Sequence, residues 1–286
     1  MFRLTSPRLL QLSSTTLGST SHPQKMLLVL HGLLGNSSNF KTATSKILSS
    51  LGPSWSALLL DVRGHGSSPS GSPCTILSAA HDVEQTVNTL TNNNGVDAVI
   101  GHSLGGKISL QYLSIAKKKP QSTWSLDSIP LKLNRSIHDF KEGDGSVASI
   151  LDAVSTVEQP FESKKELINI LTEEKKVQPS IAMWMTTNLK GNKKSGYNFV
   201  FDVETCRSLY ASFGVTDLTG FLRETEERVT ILKAERNREW KGITDEDIRG
   251  DNENVKVKTL EKSGHWVHVD NLDGLVSMIC EDLKDI

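Results

Sequence analysis

The sequence predicts an α/β fold with a mostly parallel sheet, helices on both faces and an inserted helical lid. Strand-like apolar runs alternate with helical periodicity over residues 26–131, a pattern typical of parallel strands joined by crossover helices. An apolar strand then runs into Gly-His-Ser-Leu-Gly-Gly-Lys at residues 101–107. Residues 132–228 interrupt the alternation, and it resumes over residues 229–286.

Composition places the chain among globular proteins. It has 286 residues, of which 37% are hydrophobic, and a formal net charge of −1. The chain has no excess of basic residues that would indicate a nucleic-acid partner. It also has no apolar run long enough to span a bilayer. The three cysteines, Cys74, Cys206 and Cys280, are too few and too far apart to suggest a disulfide framework, which predicts a reducing compartment.

The N-terminal segment, residues 1–25, is basic and free of acidic residues, and the first acid of the chain is Asp61. This composition is typical of an organelle transit peptide and predicts a mitochondrial location, with the cytoplasm or a plastid as alternatives. The segment also fits an edge strand, because Leu10 and Leu12 precede a Ser/Thr run that ends at Leu17. Both interpretations stay open.

The predicted elements follow the hydrophobic pattern. Strands are predicted at 26–30, 55–60, 96–100, 123–127, 229–233 and 255–260, and helices at about 39–50, 77–90, after residue 103 and over 272–283. Asn36 or Ser38 can cap the first helix. The insertion, residues 132–228, then lies over the carboxyl edge of the sheet, where ligands bind in such folds.

Gly-x-Ser-x-Gly between a strand and a helix predicts a nucleophile elbow. Ser103 would occupy a strained turn with its hydroxyl exposed, and Gly101 and Gly105 would let neighbouring backbone pass where a Cβ would clash. The helix N-terminus and the Leu104 N–H could stabilise an oxyanion. The competing interpretation is an ordinary strand–turn–helix connection.

A phosphate-binding loop uses the same residues. Gly101, Gly106 and Lys107 have its spacing, and the apolar strand ending at Asp61 could supply a magnesium ligand. However, Ile108 stands where the metal-binding Ser or Thr is required, and that strand precedes the loop instead of following it. A nucleotide hydrolase is therefore disfavoured.

A serine nucleophile needs a base, and His265 follows a glycine in the loop after the last predicted strand. His265 and His268 also have a metal-ligand spacing with Asp270 nearby, but no further His or Cys cluster supports zinc, so no metal is predicted. His31, His65 and His102 are interpreted as structural or supporting residues. In the insertion, Met183, Trp184 and Phe199 are candidates for substrate binding or for the insertion's own core.

Five motifs occur in the order seen in α/β-hydrolase-fold esterases: residues 31–35, 61–66, 101–107, 127–130 and 264–268. From residue 26 onward the chain resembles YbfF-type bacterial esterases and the mitochondrial abhydrolase-domain protein 11 family. The resemblance implies a serine hydrolase that cleaves ester or thioester bonds of small acyl substrates without a cofactor. His265 would take the proton of Ser103, and the backbone N–H groups of Leu33 and Leu104 would hold the oxyanion.

The acid that orients His265 has two candidates. The loop after the strand at 229–233 has Asn237 at the usual acid position, and an amide cannot supply the charge that stabilises an imidazolium. Asp127 ends the preceding strand, where the YbfF-type esterases carry their acid, whereas Glu235 could reach His265 from the later loop. An acyltransferase, a carbon–carbon bond hydrolase and a partner-binding or protective protein remain alternative functions.

Overall fold

The computed structural model describes residues 9–18, 24–133 and 146–286, which fold around one large sheet. The strands are β1 (Ser14–Gly18), β2 (Lys25–Leu30), β3 (Trp55–Leu60), β4 (Ala98–His102), β5 (Ser122–Leu126), β6 (Leu189–Asn192), β7 (Gly196–Phe199), β8 (Val229–Ala234) and β9 (Val255–Leu260). Seven of them form a sheet of order β1-β3-β2-β4-β5-β8-β9. Every neighbouring pair in it is parallel except β1 with β3, which confirms the predicted fold class.

The helices alternate with the strands as predicted. They are α1 (Lys41–Leu51), α2 (Ile76–Leu90), α3 (Leu104–Ile115), α4 (Val147–Ser155), α5 (Lys164–Asn169), α6 (Pro179–Met185), α7 (Val203–Val215), α8 (Thr219–Glu224), α9 (Asp245–Arg249), α10 (Val267–Asp270) and α11 (Leu272–Leu283). Short 3-10 turns lie at Ser37–Phe40, Thr186–Asn188 and Arg238–Trp240, and a π-helical turn at Ile170–Glu174. Asn36 caps the turn that leads into α1, because its side chain accepts a hydrogen bond from the Ser38 N–H.

Side-chain alternation along the strands builds a core on each face of the sheet. In β2, Leu27 and Val29 pack with α1 and α11, whereas Leu28 and Leu30 pack with α2 and α3. All four are buried. The strand therefore reads as a continuous apolar run, as expected for a parallel strand covered by helices on both sides.

The insertion between β5 and β8 has its own small core. Residues of α4, α5 and α6 pack there with Phe161, Phe199 and Phe201, and Leu34 of the sheet domain joins them. The aromatic stretch after residue 196 forms β7, which pairs with β6 in a hairpin. The sequence analysis did not predict this hairpin, because β6 reads Leu-Lys-Gly-Asn and carries no strand pattern.

The N-terminal segment contributes an edge strand in this structure. β1 pairs antiparallel with β3, and Leu10 and Leu12 pack against α2. The Leu10 N–H donates to Asp82 Oδ1 at 2.8 Å, and the Leu12 N–H donates to Thr86 Oγ1 at 2.9 Å. Cleavage after residue 25 would remove these contacts from the fold. Residues 1–8 and 19–23 lie outside the described residues.

We predict that this strand contributes to stability. Leu12 is 4% exposed and its neighbour Leu9 is 43% exposed, so the two form a matched pair. Leu12→Ala is expected to lower the free energy of unfolding by about 2–3 kcal/mol because it leaves a cavity in the core. Leu9→Ala is expected to change it by less than about 0.5 kcal/mol.

Urea denaturation of both variants measures the difference. Equal, small effects would mean that the segment does not dock against α2 in solution, and the transit-peptide interpretation would then gain support.

Candidate active site

Ser103 is the single residue between β4 and α3, and its backbone conformation is strained. Its φ is 52° and its ψ is −117°, a region that residues with a side chain rarely adopt. A Cβ on Gly105 would lie 2.5 Å from the carbonyl oxygens of Leu30 and His31. Only glycine fits there, so the second glycine of the motif allows α3 to begin directly beneath the neighbouring strand.

Three side chains predicted from the sequence come together at this turn. His265, in the loop between β9 and α10, has Nε2 at 3.1 Å from Ser103 Oγ. Its Nδ1 is 2.7 Å from Oδ2 of Asp127, the residue that follows β5. The side chain of Asp127 is fully buried, whereas that of His265 is 31% exposed. The three residues thus form a continuous hydrogen-bonded chain from solvent to interior.

The carboxylate of Asp127 accepts four hydrogen bonds. Oδ1 accepts from the Ala234 N–H at 2.9 Å and from Trp240 Nε1 at 2.6 Å. Oδ2 accepts from Asn237 Nδ2 at 2.7 Å and from His265 Nδ1. These donors compensate the burial of a negative charge, which would otherwise be costly.

The loop after β8 supplies hydrogen-bond donors to Asp127. It does not supply the acid that contacts His265. Glu235 turns to the surface, where its Oε2 accepts from the Lys262 N–H at 2.7 Å. Asn237, which the sequence places at the usual acid position, instead donates to Asp127. Trp240 was not predicted from the sequence. Its indole N–H contacts Asp127 only because the chain turns back after β8, and no motif signals that turn.

The backbone of residues 32–34 passes directly against the nucleophile. A Cβ on Gly32 would lie 3.2 Å from Ser103 Cβ, so this loop needs glycine for its close approach. Leu33 follows, and it lines a cavity together with Ser103 and Leu104. Leu104 is the first residue of α3, and the first N–H groups of a helix have no partner within it.

Two buried histidines fix the conformation of that loop. His31 Nδ1 donates to the Gly32 carbonyl at 2.7 Å, and its Nε2 accepts from the Val62 N–H at 3.0 Å. His65 Nε2 accepts from the Leu34 N–H at 3.1 Å. Burial lowers the pKa of both imidazoles, that of His65 to about 3, so both stay neutral and keep an acceptor nitrogen.

A second pair of histidines lies behind His265. His102 Nε2 donates to the backbone carbonyl of His265 at 2.7 Å, which holds the loop that carries the imidazole. His268 packs on the Phe40 ring, with centroids 4.2 Å apart. Burial and the nearby His265 lower the pKa of His102, and the same two causes lower that of His268 to about 4. Both are therefore uncharged at neutral pH.

Two cavities meet at Ser103 and His265. The first is lined largely by apolar residues, among them Ile129, Leu133 and Phe213. The second extends toward the insertion between aromatic side chains. The residues lining the second cavity include Phe40, His102, Trp184, Trp266 and His268. Ser103 therefore borders open space in two directions.

The three candidate residues of the insertion have different surroundings. Trp184 lines the second cavity and its ring lies 5.9 Å from that of Trp266. Met183 is 62% exposed on the outer side of α6 and lines neither cavity. Phe199 is buried in the core of the insertion, stacked on Phe201. The helical spacing of α6 explains the difference between Met183 and Trp184, because adjacent helical residues point about 100° apart.

Lys107 is buried. Its ammonium donates to the carbonyls of Leu131, Phe213 and Thr216 at 3.0, 2.9 and 2.9 Å. All three N–H donors of the ammonium are thus occupied by backbone carbonyls, which leaves none for a phosphate. This geometry gives the nucleotide-hydrolase alternative no support.

Within residues 9–18, 24–133 and 146–286, no group of three or more His, Cys, Asp or Glu side chains could hold a metal ion. In the same ranges, no helix is long and apolar enough to cross a membrane. The three cysteines are free thiols.

Sequence comparison relates the chain to a known fold family and to several named proteins. Residues 25–151 match the family model described as alpha/beta hydrolase fold. A probable alcohol acetyltransferase of Saccharomyces cerevisiae is 34% identical over 105 residues, which are 36% of this chain and 29% of that protein. The sn-1-specific diacylglycerol lipase ABHD11 of Xenopus laevis is 35% identical over 105 residues, which are 37% and 31% of the two chains. The matches thus span less than a third of these relatives.

Longer matches extend the similarity over the whole fold. The ABHD11 protein of Danio rerio is 24% identical over 261 residues, 88% of this chain and 77% of that protein. Among solved structures, a marine microorganism esterase superposes with a TM-score of 0.78 at 21% identity, covering 95% of this chain and 99% of the other. E-2-(acetamidomethylene)succinate hydrolase gives a TM-score of 0.67 at 19% identity, with coverages of 96% and 95%.

The sheet order, the strained turn at Ser103 and these matches agree with one another. The chain therefore has the α/β-hydrolase fold.

Proposed function

We propose that this protein hydrolyses carboxylic ester or thioester bonds of small acyl substrates through an acyl-enzyme on Ser103. The observation that carries the proposal is the chain of hydrogen bonds from Ser103 through His265 to Asp127, with distances of 3.1 and 2.7 Å. The base, His265, is thus within hydrogen-bonding distance of both the nucleophile and the orienting acid.

The tautomer of His265 follows from its partners. Asp127 has no proton to give when ionised, so Nδ1 of His265 carries the hydrogen and Nε2 is left as an acceptor. Nε2 takes the proton of Ser103 as Oγ attacks the substrate carbonyl, and the Asp127 carboxylate stabilises the imidazolium that forms. The imidazolium then protonates the leaving alcohol or thiol.

The oxyanion would be held by the backbone N–H groups of Leu33 and Leu104. The positive end of the α3 dipole adds to this stabilisation. Losing one such donor typically costs about 3 kcal/mol of transition-state stabilisation. The histidines that fix the loop at Gly32 therefore contribute to catalysis by holding a donor in place.

Water completes the cycle by hydrolysing the acyl-enzyme, with His265 as the base. The mainly apolar first cavity suits an acyl chain, and the second cavity suits the leaving group. Residues 132–228 would act as a lid over both, with Trp184 as its contact to the substrate. This mechanism uses no cofactor.

Acyl transfer is a second candidate, because a relative is named as a probable alcohol acetyltransferase. The same acyl-enzyme would pass its acyl group to an alcohol in place of water. Adding an alcohol during turnover and measuring the new ester against free acid separates the two outcomes. A carbon–carbon bond hydrolase would use the same three residues, and a partner-binding or protective role would need none of them.

A mitochondrial location is part of the proposal, based on the basic, acid-free N-terminal segment and the resemblance to the abhydrolase-domain protein 11 family. The edge strand β1 limits how much of the N-terminal segment can be removed by proteolytic cleavage, since Leu10 and Leu12 are buried in the folded protein. We therefore expect the mature protein to retain residues 9–18.

Ser103→Ala is expected to abolish ester hydrolysis and labelling by a fluorophosphonate probe. The substitution removes the nucleophile and little volume, so the melting temperature should stay within a few degrees of the wild-type value. Hydrolysis of p-nitrophenyl acetate and gel-based probe labelling measure both properties. Full turnover by a folded Ser103→Ala variant would exclude the acyl-enzyme mechanism.

Asp127→Asn is expected to lower kcat on the order of ten-thousandfold, because the amide removes the charge and opposes the Nδ1–H of His265. Glu235→Gln serves as the matched control. It neutralises the other candidate acid, and we expect a loss of less than about tenfold.

Both variants should be assayed on one short acyl ester, and their melting temperatures should be recorded alongside. If kcat falls steeply in Glu235→Gln but not in Asp127→Asn, the acid that orients His265 is Glu235, in the loop after β8.

A further inference from the structure

Lys107, among the residues that the structure describes, is a fully buried cation that the proposed mechanism does not use. Its exposed fraction is 0%, and its ammonium donates one hydrogen bond to each of three backbone carbonyls. The Phe213 ring lies 4.2 Å from Nζ. A buried ammonium is costly unless its donors are satisfied, and here three donors meet three acceptors.

The three carbonyls belong to the two ends of the insertion. Leu131 immediately precedes it, and Phe213 and Thr216 lie at the end of α7. Backbone hydrogen bonds join the same two ends directly, from the Leu133 N–H to the Gly214 carbonyl at 2.7 Å and from the Leu218 N–H to the Pro130 carbonyl at 3.0 Å. The ammonium thus lies at the junction of the insertion with the sheet domain.

The charge of Lys107 matters for this junction. Burial lowers the pKa of Lys107 to about 7, while the nearby Asp217 carboxylate acts in the opposite direction. An ammonium supplies three N–H donors, whereas a neutral amine supplies two and would leave one of the three carbonyls without a partner. The arrangement therefore fits the charged form.

The junction also forms a wall of the first cavity. Leu133, Phe213 and Gly214 line that cavity, and Ser103 lines it as well. Lys107 is one helical turn after Ser103 on α3, and its N–H donates to the Ser103 carbonyl at 3.2 Å. A single side chain consequently links the nucleophile's helix to the apolar wall of the cavity that Ser103 also lines.

We propose that Lys107 is a positioning residue that fixes the two ends of the insertion against α3 and thereby determines which acyl chains fit the first cavity. This inference rests on the proposed ester hydrolysis. An acetyl group carries only one methyl beyond its carbonyl and can make few contacts with the cavity lining, whereas a long acyl chain would pack along apolar residues such as Leu133 and Phe213. The residue should therefore affect selectivity for chain length more than the chemical step.

The test compares Lys107→Met, which keeps the length and removes the charge, with Lys107→Arg, which keeps a charge and several donors. Lys117→Met, at an exposed lysine just after the same helix, is the matched control. Substrates are p-nitrophenyl acetate and the longest p-nitrophenyl acyl ester that the wild type hydrolyses. For each variant, kcat and KM are measured with the melting temperature.

We expect Lys107→Met to raise KM for the long ester at least about tenfold while kcat for the acetate stays within about threefold of wild type, since wall contacts contribute to binding. Lys107→Arg should recover part of the long-chain preference, and Lys117→Met should change neither value. If Lys107→Met does not fold, Lys107→Gln, which retains two donors, takes its place in the comparison with Lys107→Arg.

A uniform loss on both esters would overturn the proposal and make Lys107 a purely structural residue, as would an unchanged ratio of the two kcat/KM values. These outcomes differ from failure of the proposed function. In that case the wild type would hydrolyse neither ester and would not react with a fluorophosphonate, and both proposals would fall together.

Discussion

The buried carboxylate of Asp127 is the interaction on which the rest of the site depends. It lies where the carboxyl ends of β5, β8 and β9 converge, and its four donors come from β8, from the turn after β8 and from the loop after β9. A negative charge with no exposed surface is stable only if such donors are present. The same contacts that satisfy the charge therefore fix the relative positions of three loops.

The arrangement also accounts for the amide at residue 237. Asn237 sits on the loop that follows β8, and its amide reaches the site that an acid on that loop would occupy. With Asp127 supplying the charge, a second carboxylate there would repel it, whereas an amide donates a hydrogen bond. Asn237 and Asp127 are thus complementary, and neither can be interpreted without the other.

Neutral histidines form the remaining framework. His31 and His65 hold the backbone at residues 32–34, and His102 holds the carbonyl of His265. Each is buried, and burial lowers its pKa. An uncharged imidazole offers one donor and one acceptor at fixed geometry, which suits it to bridge two backbone groups. Among the described residues, His265 is the imidazole that hydrogen-bonds Ser103, and its side chain is 31% exposed whereas that of Asp127 is fully buried.

The sheet and the central residues could be predicted from the sequence because their constraints are local. Central strands such as β3 and β4 are short, mainly apolar runs buried on both faces, and the turn at Ser103 requires glycine at fixed offsets. Trp240, and Asn237 as a donor, could not be predicted, since their contacts with Asp127 arise only when separate loops meet. The hairpin of β6 and β7 was missed because its first strand is polar and exposed.

The insertion is the least predictable part for a related physical reason. Its core packs mainly against itself, so many combinations of apolar side chains with a suitable total volume would fill it. The family match ends at residue 151, within α4, soon after the chain leaves the sheet. The junction is different, because there the backbone carbonyls of Leu131, Phe213 and Thr216 all converge on one ammonium. Backbone acceptors place no demand on side-chain identity, so the insertion can vary in sequence while its attachment beside the nucleophile stays the same.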